Sequence, residues 1–304
     1  MSRRRKTQKA KKRYPLQSYW SGPPLSLLEQ MCLQSWVAFG ATVDLFTHDS
    51  VPAMESQLRS TLPPHICRHI RVLEGDLILP KSAKFNYKGP VPKSKRADAF
   101  TALPFSDLFR YEMLRQRGGI WMDLDIVLIR PIPAAILRQP YFFVSERTMQ
   151  KGAYASKNPI KPTNSCIGSR DPHSQWAEWI VAASKEAKLE GAWTYMKVFQ
   201  ESLIELDLED YVEPPTFVMP VNWWDLDGIF TPMSATDHLK SKYGVPGTGL
   251  GFLKDPKTIG VHLFRGILRK RDMPYEDRSK IPPTSLLGRL FAHVEAAASL
   301  ATLA

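Results

Sequence analysis

Cysteine is scarce in this chain: Cys32, Cys67 and Cys166 are the whole supply, and they lie far apart. Three scattered thiols make neither a disulfide framework nor a zinc knuckle, and a reducing cytosol is the simplest setting for them. Long apolar runs are missing as well. No stretch approaches the ~20 residues that a membrane-spanning helix needs. No apolar core of a signal peptide follows the basic amino terminus either, because "YPLQSYWSGPP" is short and broken by proline. Neither a secretory signal nor an anchor is expected. Repeats and low-complexity blocks are lacking after residue 13, which argues against an array of small units.

Acidic residues are absent from residues 1–13, "MSRRRKTQKAKKR", which hold eight Lys or Arg. Removing those eight charges from the formal +11 leaves only +3 for the rest of the chain. The basic excess therefore belongs to this arm, which reads as a disordered solubilising tail, or as one suited to RNA or to the anionic face of a membrane, and the body is only mildly basic. At 304 residues and 43% hydrophobic composition the remainder can bury a substantial core. Residues 14–304 are expected to form a single domain.

The amino-terminal half alternates strand and helix. "PLQSYW" reads as a strand, and "SLLEQMCLQSWVAFG" as a helix opened by a Ser26–Glu29 capping box and closed at Gly40. "TVDLFTH" and "HIRVLEG" are further strands, with a helix over "AMESQLRSTL" between them. This order predicts an α/β, Rossmann-like fold with a mostly parallel central sheet. Residues 80–96 carry six Lys or Arg, three prolines and a glycine, which predicts a mobile basic loop. A helix with Ser106 as its N-cap follows, stops at Gly118-Gly119, and leads into the strand "IWM". Later strands are expected at "YFFVSE", "NSCIGS" and "IGVHLF", later helices over "PHSQWAEWIVAASKEAKL" and 193–206, and "SLLGRLFAHVEAAASLATLA" as a packed terminal helix.

Asp123 and Asp125 end the strand that follows the glycine pair. Strand geometry puts both carboxylates on one side, where their charges repel unless a cation sits between them. Their place at the carboxyl end of a strand is where ligands bind in open α/β sheets. A second D-x-D, Asp225 and Asp227 in "NWWDLDG", lies in an aromatic, glycine-ended turn and reads as a solvated or capping loop. Asp107 and Arg110 share a helical face with Tyr111 beside them. An Asp for hydroxyls, an Arg for phosphate and a carboxylate pair for metal are the parts of a sugar-nucleotide site.

The segment "SDLFRYEMLRQRGGIWMDLDIVLIRPI" resembles the sugar-binding D-x-D region of glycosyltransferase family 32, which includes capsular polysaccharide synthesis proteins. "QSYWSGPPLSLLEQMCLQSW" is similar to the family's opening strand and helix. The resemblance implies a GT-A fold, a Mn²⁺ or Mg²⁺ ion, and retaining transfer from a UDP- or GDP-sugar to a glycan or lipid-linked acceptor. It implies a cytoplasmic site at the inner face of the membrane, with peripheral contact through residues 1–13. By position, Asp125 binds the metal and Asp123 meets sugar hydroxyls and the metal's water shell. Trp20 stacks on the base, and Asp107, Arg110 and Tyr111 belong to the donor site. His262 in "IGVHLF" is a metal or pyrophosphate ligand, and Asn164 is an acceptor-side position. "RGILRKR" stands where the family often has a tryptophan. No nucleophile is assigned, although Glu146 and Asp227 are nearby carboxylates.

Two rivals use the same residues differently. A haloacid-dehalogenase-type phosphatase would take Asp123 as its nucleophile, but it usually carries that motif near the start of its domain and would leave Asp107 and Arg110 unexplained. A non-enzymatic nucleic-acid or membrane adaptor would act through residues 1–13 and lose its function with them.

Overall fold

The computed structural model describes residues 14–83, 97–151, 156–187, 194–233 and 250–301. The basic arm and most of the basic loop, 84–96, lie outside the described residues. The chain opens with β1 (Tyr14–Tyr19), α1 (Leu27–Ala38), β2 (Ala41–Thr47), α2 (Val51–Thr61), α3 (Pro64–Cys67) and β3 (Ile70–Glu74). The start of α1 is set by the expected capping box, in which the Ser26 backbone N–H donates to Glu29 Oε2 at 2.7 Å. It stops at Gly40, whose φ of 101° few other residues adopt.

Next come α4 (Ala97–Arg117), β4 (Gly119–Met122), β5 (Ile126–Leu128), α5 (Ala134–Arg138), β6 (Tyr141–Arg147) and β7 (Ile160–Ser169). The chain continues through α6 (Gln175–Glu186), α7 (Thr194–Glu205), β8 (Gly260–His262), α8 (Arg265–Lys270) and α9 (Leu286–Ala301). Because α4 begins at Ala97, Ser106 lies inside the helix and is not its N-cap. A serine hydroxyl caps only when it turns onto free N–H groups of the first turn. Ser106 Oγ instead accepts from Arg110 Nη2 at 3.2 Å.

Six strands form one sheet in the order β3-β2-β1-β4-β7-β6. β3, β2, β1 and β4 run parallel, whereas β7 and β6 are antiparallel additions. The fold is therefore α/β around a mixed, mostly parallel sheet. Both faces are covered, so strand side chains alternate between two apolar layers. In β4, Ile120 and Met122 join the layer beneath α1 and α9, while Trp121 enters the aromatic layer under α4, α6 and α7. The carboxy-terminal helix α9 packs on α1 through Leu287, Leu290, Phe291 and Val294, as expected. Among the described residues no helix is long and apolar enough to cross a membrane. The three cysteines are unpaired.

This strand order creates the crevice. From β1 the chain steps outward to β2 and β3, then returns to place β4 on β1's other edge, so the connections diverge between β1 and β4. Ligands bind outside the carboxyl ends of strands at such a point. Trp20 follows β1 and Asp123 follows β4.

Entry into β4 depends on Gly118, which has a φ of +62°. A Cβ there would lie 2.7 Å from the Arg170 carbonyl oxygen and 2.8 Å from Pro172 N, both backbone atoms that cannot swing aside. Gly118→Ala is expected to cost about 2 kcal/mol or more from the left-handed backbone and the clash together. A urea titration reads this as a lower midpoint at unchanged slope.

Candidate functional site

The two aspartates do not sit on the strand itself. β4 ends at Met122, and Asp123 to Ile126 form a turn closed by Ile126 N–H donating to the Asp123 carbonyl at 3.0 Å. The turn is pinned to β7 by Asp123 N–H donating to the Ser165 carbonyl at 2.8 Å. β5 then pairs antiparallel with β8, setting Ile126 opposite His262. As a result, ligand atoms of Asp123, Asp125 and His262 all lie within 4.8 Å of one another.

Asp125 is held at three of its atoms by the end of β8 and the segment after it. His262 Nε2 lies 3.0 Å from Oδ1, Arg265 N–H donates to Oδ2 at 2.8 Å, and Leu263 N–H donates to the main-chain carbonyl at 2.8 Å. Arg265 N–H reaches back because Phe264 adopts a left-handed φ of 48°, an uncommon conformation for an aromatic residue. Burial alone would raise the Asp125 pKa, but the imidazole and the backbone N–H outweigh it and hold the carboxyl below its ordinary value. Burial likewise works against the His262 cation, and Asp125 overcomes it, so the imidazole titrates above its usual value. His262 Nδ1 is buried with no hydrogen-bond partner. Two carboxylates and an imidazole form a donor set suited to Mn²⁺ and acceptable to Mg²⁺.

The residues expected at the donor form a buried brace behind this cluster. Arg110 is only 5% exposed, and its guanidinium is surrounded by acceptors. Nη1 contacts the Asn164 carbonyl at 2.6 Å and Asp123 Oδ1 at 3.1 Å, Nη2 contacts Ser106 Oγ at 3.2 Å and Asp107 Oδ1 at 3.3 Å, and Nε donates to the Ser106 carbonyl at 3.3 Å. Each N–H of Arg110, expected at the donor sugar and diphosphate, faces a protein acceptor. Its charge serves the carboxylates. Tyr111, also expected at the donor, is fully buried between Trp176 and Phe199, and its hydroxyl donates to the Tyr195 carbonyl at 3.2 Å. Asn164, expected on the acceptor side, is buried in β7 and donates to Asp107 Oδ1 at 3.0 Å and Tyr111 Oη at 2.9 Å.

Burial pushes the Asp107 carboxyl up to about 6, against the pull of Arg110. The native state then holds this proton to higher pH than the unfolded chain. Its contribution to stability is full below pH ~4 and is lost as pH rises through about 6. Melting temperatures measured from pH 4 to 7 are expected to decline less with pH in Asp107→Asn than in the native chain. Parallel curves would show that Asp107 titrates normally.

Trp20 is half-buried at the end of β1, its indole Nε1 donating to the Pro23 carbonyl at 2.8 Å. The guanidinium of Arg265 lies over its ring at 4.7 Å and pairs with Glu29, which is fully buried at the start of α1. Trp20 is thus joined to Asp125 through Arg265. The second D-x-D is separate from this cluster. Asp227 is 70% exposed and pairs with Arg271 at 2.8 Å, as a solvated loop residue does. Asp225 differs from that expectation: it is buried and accepts from Asn222 Nδ2 at 2.8 Å. Glu146 lies at the end of β6, where burial lifts its carboxyl and the charges of Lys161 and His262 draw it down.

Three contributors escaped the sequence. Trp121 Nε1 donates to Asp123 Oδ1 at 2.7 Å, Arg265 anchors Asp125, and Glu29 neutralises Arg265. Glu29 was visible only as a cap, and no local pattern ties positions 29, 125 and 265. An arginine three residues after the strand histidine was the available signal.

Residues 91–189 match the family model described as capsular polysaccharide synthesis protein. The matched segment is about a third of the chain and contains Asp107, Arg110, Asp123, Asp125 and Asn164. No curated protein matches the chain. Among solved structures it is similar to the PaToxG glycosyltransferase at 10% identity and a TM-score of 0.39, covering 64% of this chain and 69% of that one. A structure described as a transferase gives 11% and 0.40 over 66% and 88% of the two chains. Apo mouse xyloside xylosyltransferase 1 gives 11% and 0.37 over 67% and 86%. Likeness this loose assigns neither activity nor substrate.

Proposed function

We propose that this chain is a metal-dependent, retaining glycosyltransferase of the GT-A type. It would move a sugar from a UDP- or GDP-sugar to a glycan or lipid-linked acceptor in capsule or surface polysaccharide synthesis. The observation that carries this reading is the Asp123–Asp125–His262 cluster at the β1/β4 crevice, two of whose members lie inside the matched segment. The resemblance of that segment to glycosyltransferase family 32 supports the same activity.

In this reading Asp125 and His262 hold Mn²⁺ or Mg²⁺, and Asp123 adds a ligand or orients the ion's waters. The bound ion supplies Lewis-acid stabilisation of the departing diphosphate. Arg110 and Trp121 counter the burial that raises the Asp123 carboxyl and keep it aimed, and Arg110 with Asn164 sets Asp107 toward the donor sugar. Trp20 offers the base the face of its indole that Arg265 does not cover. The basic arm at 1–13 supplies contact with anionic headgroups at the cytoplasmic face. The test is release of nucleoside diphosphate from a panel of UDP- and GDP-sugars with Mn²⁺. Turnover of one donor supports the reading. If every donor is left intact while a phosphomonoester is hydrolysed, the D-x-D belongs to a phosphatase.

A further inference from the structure

We infer that Arg265 is a positioning residue that couples cation binding at Asp125 to nucleobase binding at Trp20, with Glu29 holding it in place. Cation and base as the two ligands rest on the transferase reading; the contacts that join their residues do not.

Trp20 follows β1 and Asp125 lies in the turn after β4, on the two sides of the crevice. Arg265 reaches both. Its backbone N–H donates to Asp125 Oδ2 at 2.8 Å, and its guanidinium lies 4.7 Å from the centre of the Trp20 ring. An arginine stem has several rotatable bonds, so a free one would not carry a displacement from main chain to guanidinium. Glu29 removes that freedom. It is fully buried in the first turn of α1, where one carboxylate oxygen accepts from Ser26 N–H and the other faces Arg265 Nε. The guanidinium is thereby fixed between a helix start and an indole, with 15% of the side chain exposed. A buried ion pair is weak evidence of stabilisation, because apolar residues of similar volume often serve as well. Here it fixes where the guanidinium points.

The backbone end is constrained too. Phe264 is held at a φ of 48°, and that left-handed step aims the Arg265 N–H back at Asp125. A bulky residue keeps such a conformation only where its surroundings impose it. Those surroundings are the His262 ring, 4.0 Å from that of Phe264, and the hydrogen bond to Asp125. A cation that fixes Asp125 and His262 therefore steadies the same backbone that presents Arg265 to Trp20. A base stacked on the uncovered face of Trp20 steadies it from the other end. Each ligand orders part of what the other needs, so their binding is cooperative. With a nucleoside diphosphate the phosphates themselves could link base and cation, whereas a nucleoside isolates the path through Arg265.

The experiment uses uridine and guanosine with the full chain. Free Mn²⁺ is read from its EPR signal with and without nucleoside, and nucleoside binding from equilibrium dialysis with and without Mn²⁺. In the native chain each ligand is expected to tighten the other about fivefold or more, by one factor in both directions. Glu29→Gln combined with Arg265→Met removes both buried charges but keeps an oxygen for Ser26 and the backbone N–H at 265. That chain should fold and bind Mn²⁺ alone as the native chain does, yet lose the mutual factor. Arg271→Met makes the same change in a surface pair with Asp227 and should keep it. The proposal is overturned if neither nucleoside binds, if the native factor is one, or if the factor survives in the double variant, as direct contact between ribose and cation would make it do. Coupled binding by a chain that consumes no donor would remove the transferase reading and leave the coupling standing. Donor turnover without coupling would do the reverse.

Discussion

Asp125→Ala is expected to lower nucleoside diphosphate release by about 10³-fold, the largest effect on activity of any single substitution in this site. The size follows from what Asp125 is asked to do. The departing diphosphate gains charge as its bond to the sugar breaks, and the ligand that fixes the cation determines whether that charge is met. Asp125 suits the task because its carboxyl lies below its ordinary pKa and is fixed by His262 and Arg265 N–H. Asp125→Asn separates charge from shape. It keeps an oxygen for one of these contacts and should stay folded, yet release should still fall at least ~10²-fold and the Mn²⁺ concentration for half-maximal rate should rise. Asp227→Ala removes a carboxylate from the other D-x-D and should leave release as it was. Native rates in Asp125→Asn at saturating Mn²⁺ would sink the metal-ligand assignment.

The parts of this site that were legible in the sequence are those fixed by local rules. A serine three residues before a glutamate, a glycine after the last helical residue and an apolar strand after Gly118-Gly119 each specify backbone by short-range sterics or capping. The β/α order and the placement of the D-x-D at a strand's carboxyl end followed from them. What was not legible depends on side-chain direction and distant partners. Asp107 and Arg110 were readable as neighbours on one helical face, but whether Arg110 points to solvent or inward is decided by how α4 packs on β4 and β7. The aromatic layer around Tyr111, Trp121 and Trp176 turns it inward. Tyr111 was drawn into the donor set by adjacency alone, and its ring is part of that layer. Asp225 was read with Asp227 as part of a solvated or capping loop because the turn is aromatic and ends in glycine, whereas Asp225 is buried and accepts from Asn222.

Arg110 gives the largest expected loss of stability. In Arg110→Met the stem of the side chain is retained and the charge is removed, leaving Asp107 and Asp123 facing each other with the Asn164 carbonyl unpaired. Removing one partner from a buried charge network costs about 3–5 kcal/mol. The urea midpoint should drop accordingly. Arg110→Lys should recover only part of the loss, since one ammonium with three protons cannot meet five acceptors spread around a plane. The repelling carboxylates should also be relieved by neutralising one of them, so Arg110→Met combined with Asp107→Asn should be more stable than Arg110→Met alone. That coupling separates a brace from a diphosphate ligand. A solvent-facing arginine used to hold phosphate would give an Arg110→Met chain of native stability and an elevated donor KM, with no rescue by Asp107→Asn. In the buried arrangement the stability loss comes first, and activity falls because Asp123, whose carboxyl burial raises, loses the guanidinium that offsets that burial and helps fix the turn that carries Asp125.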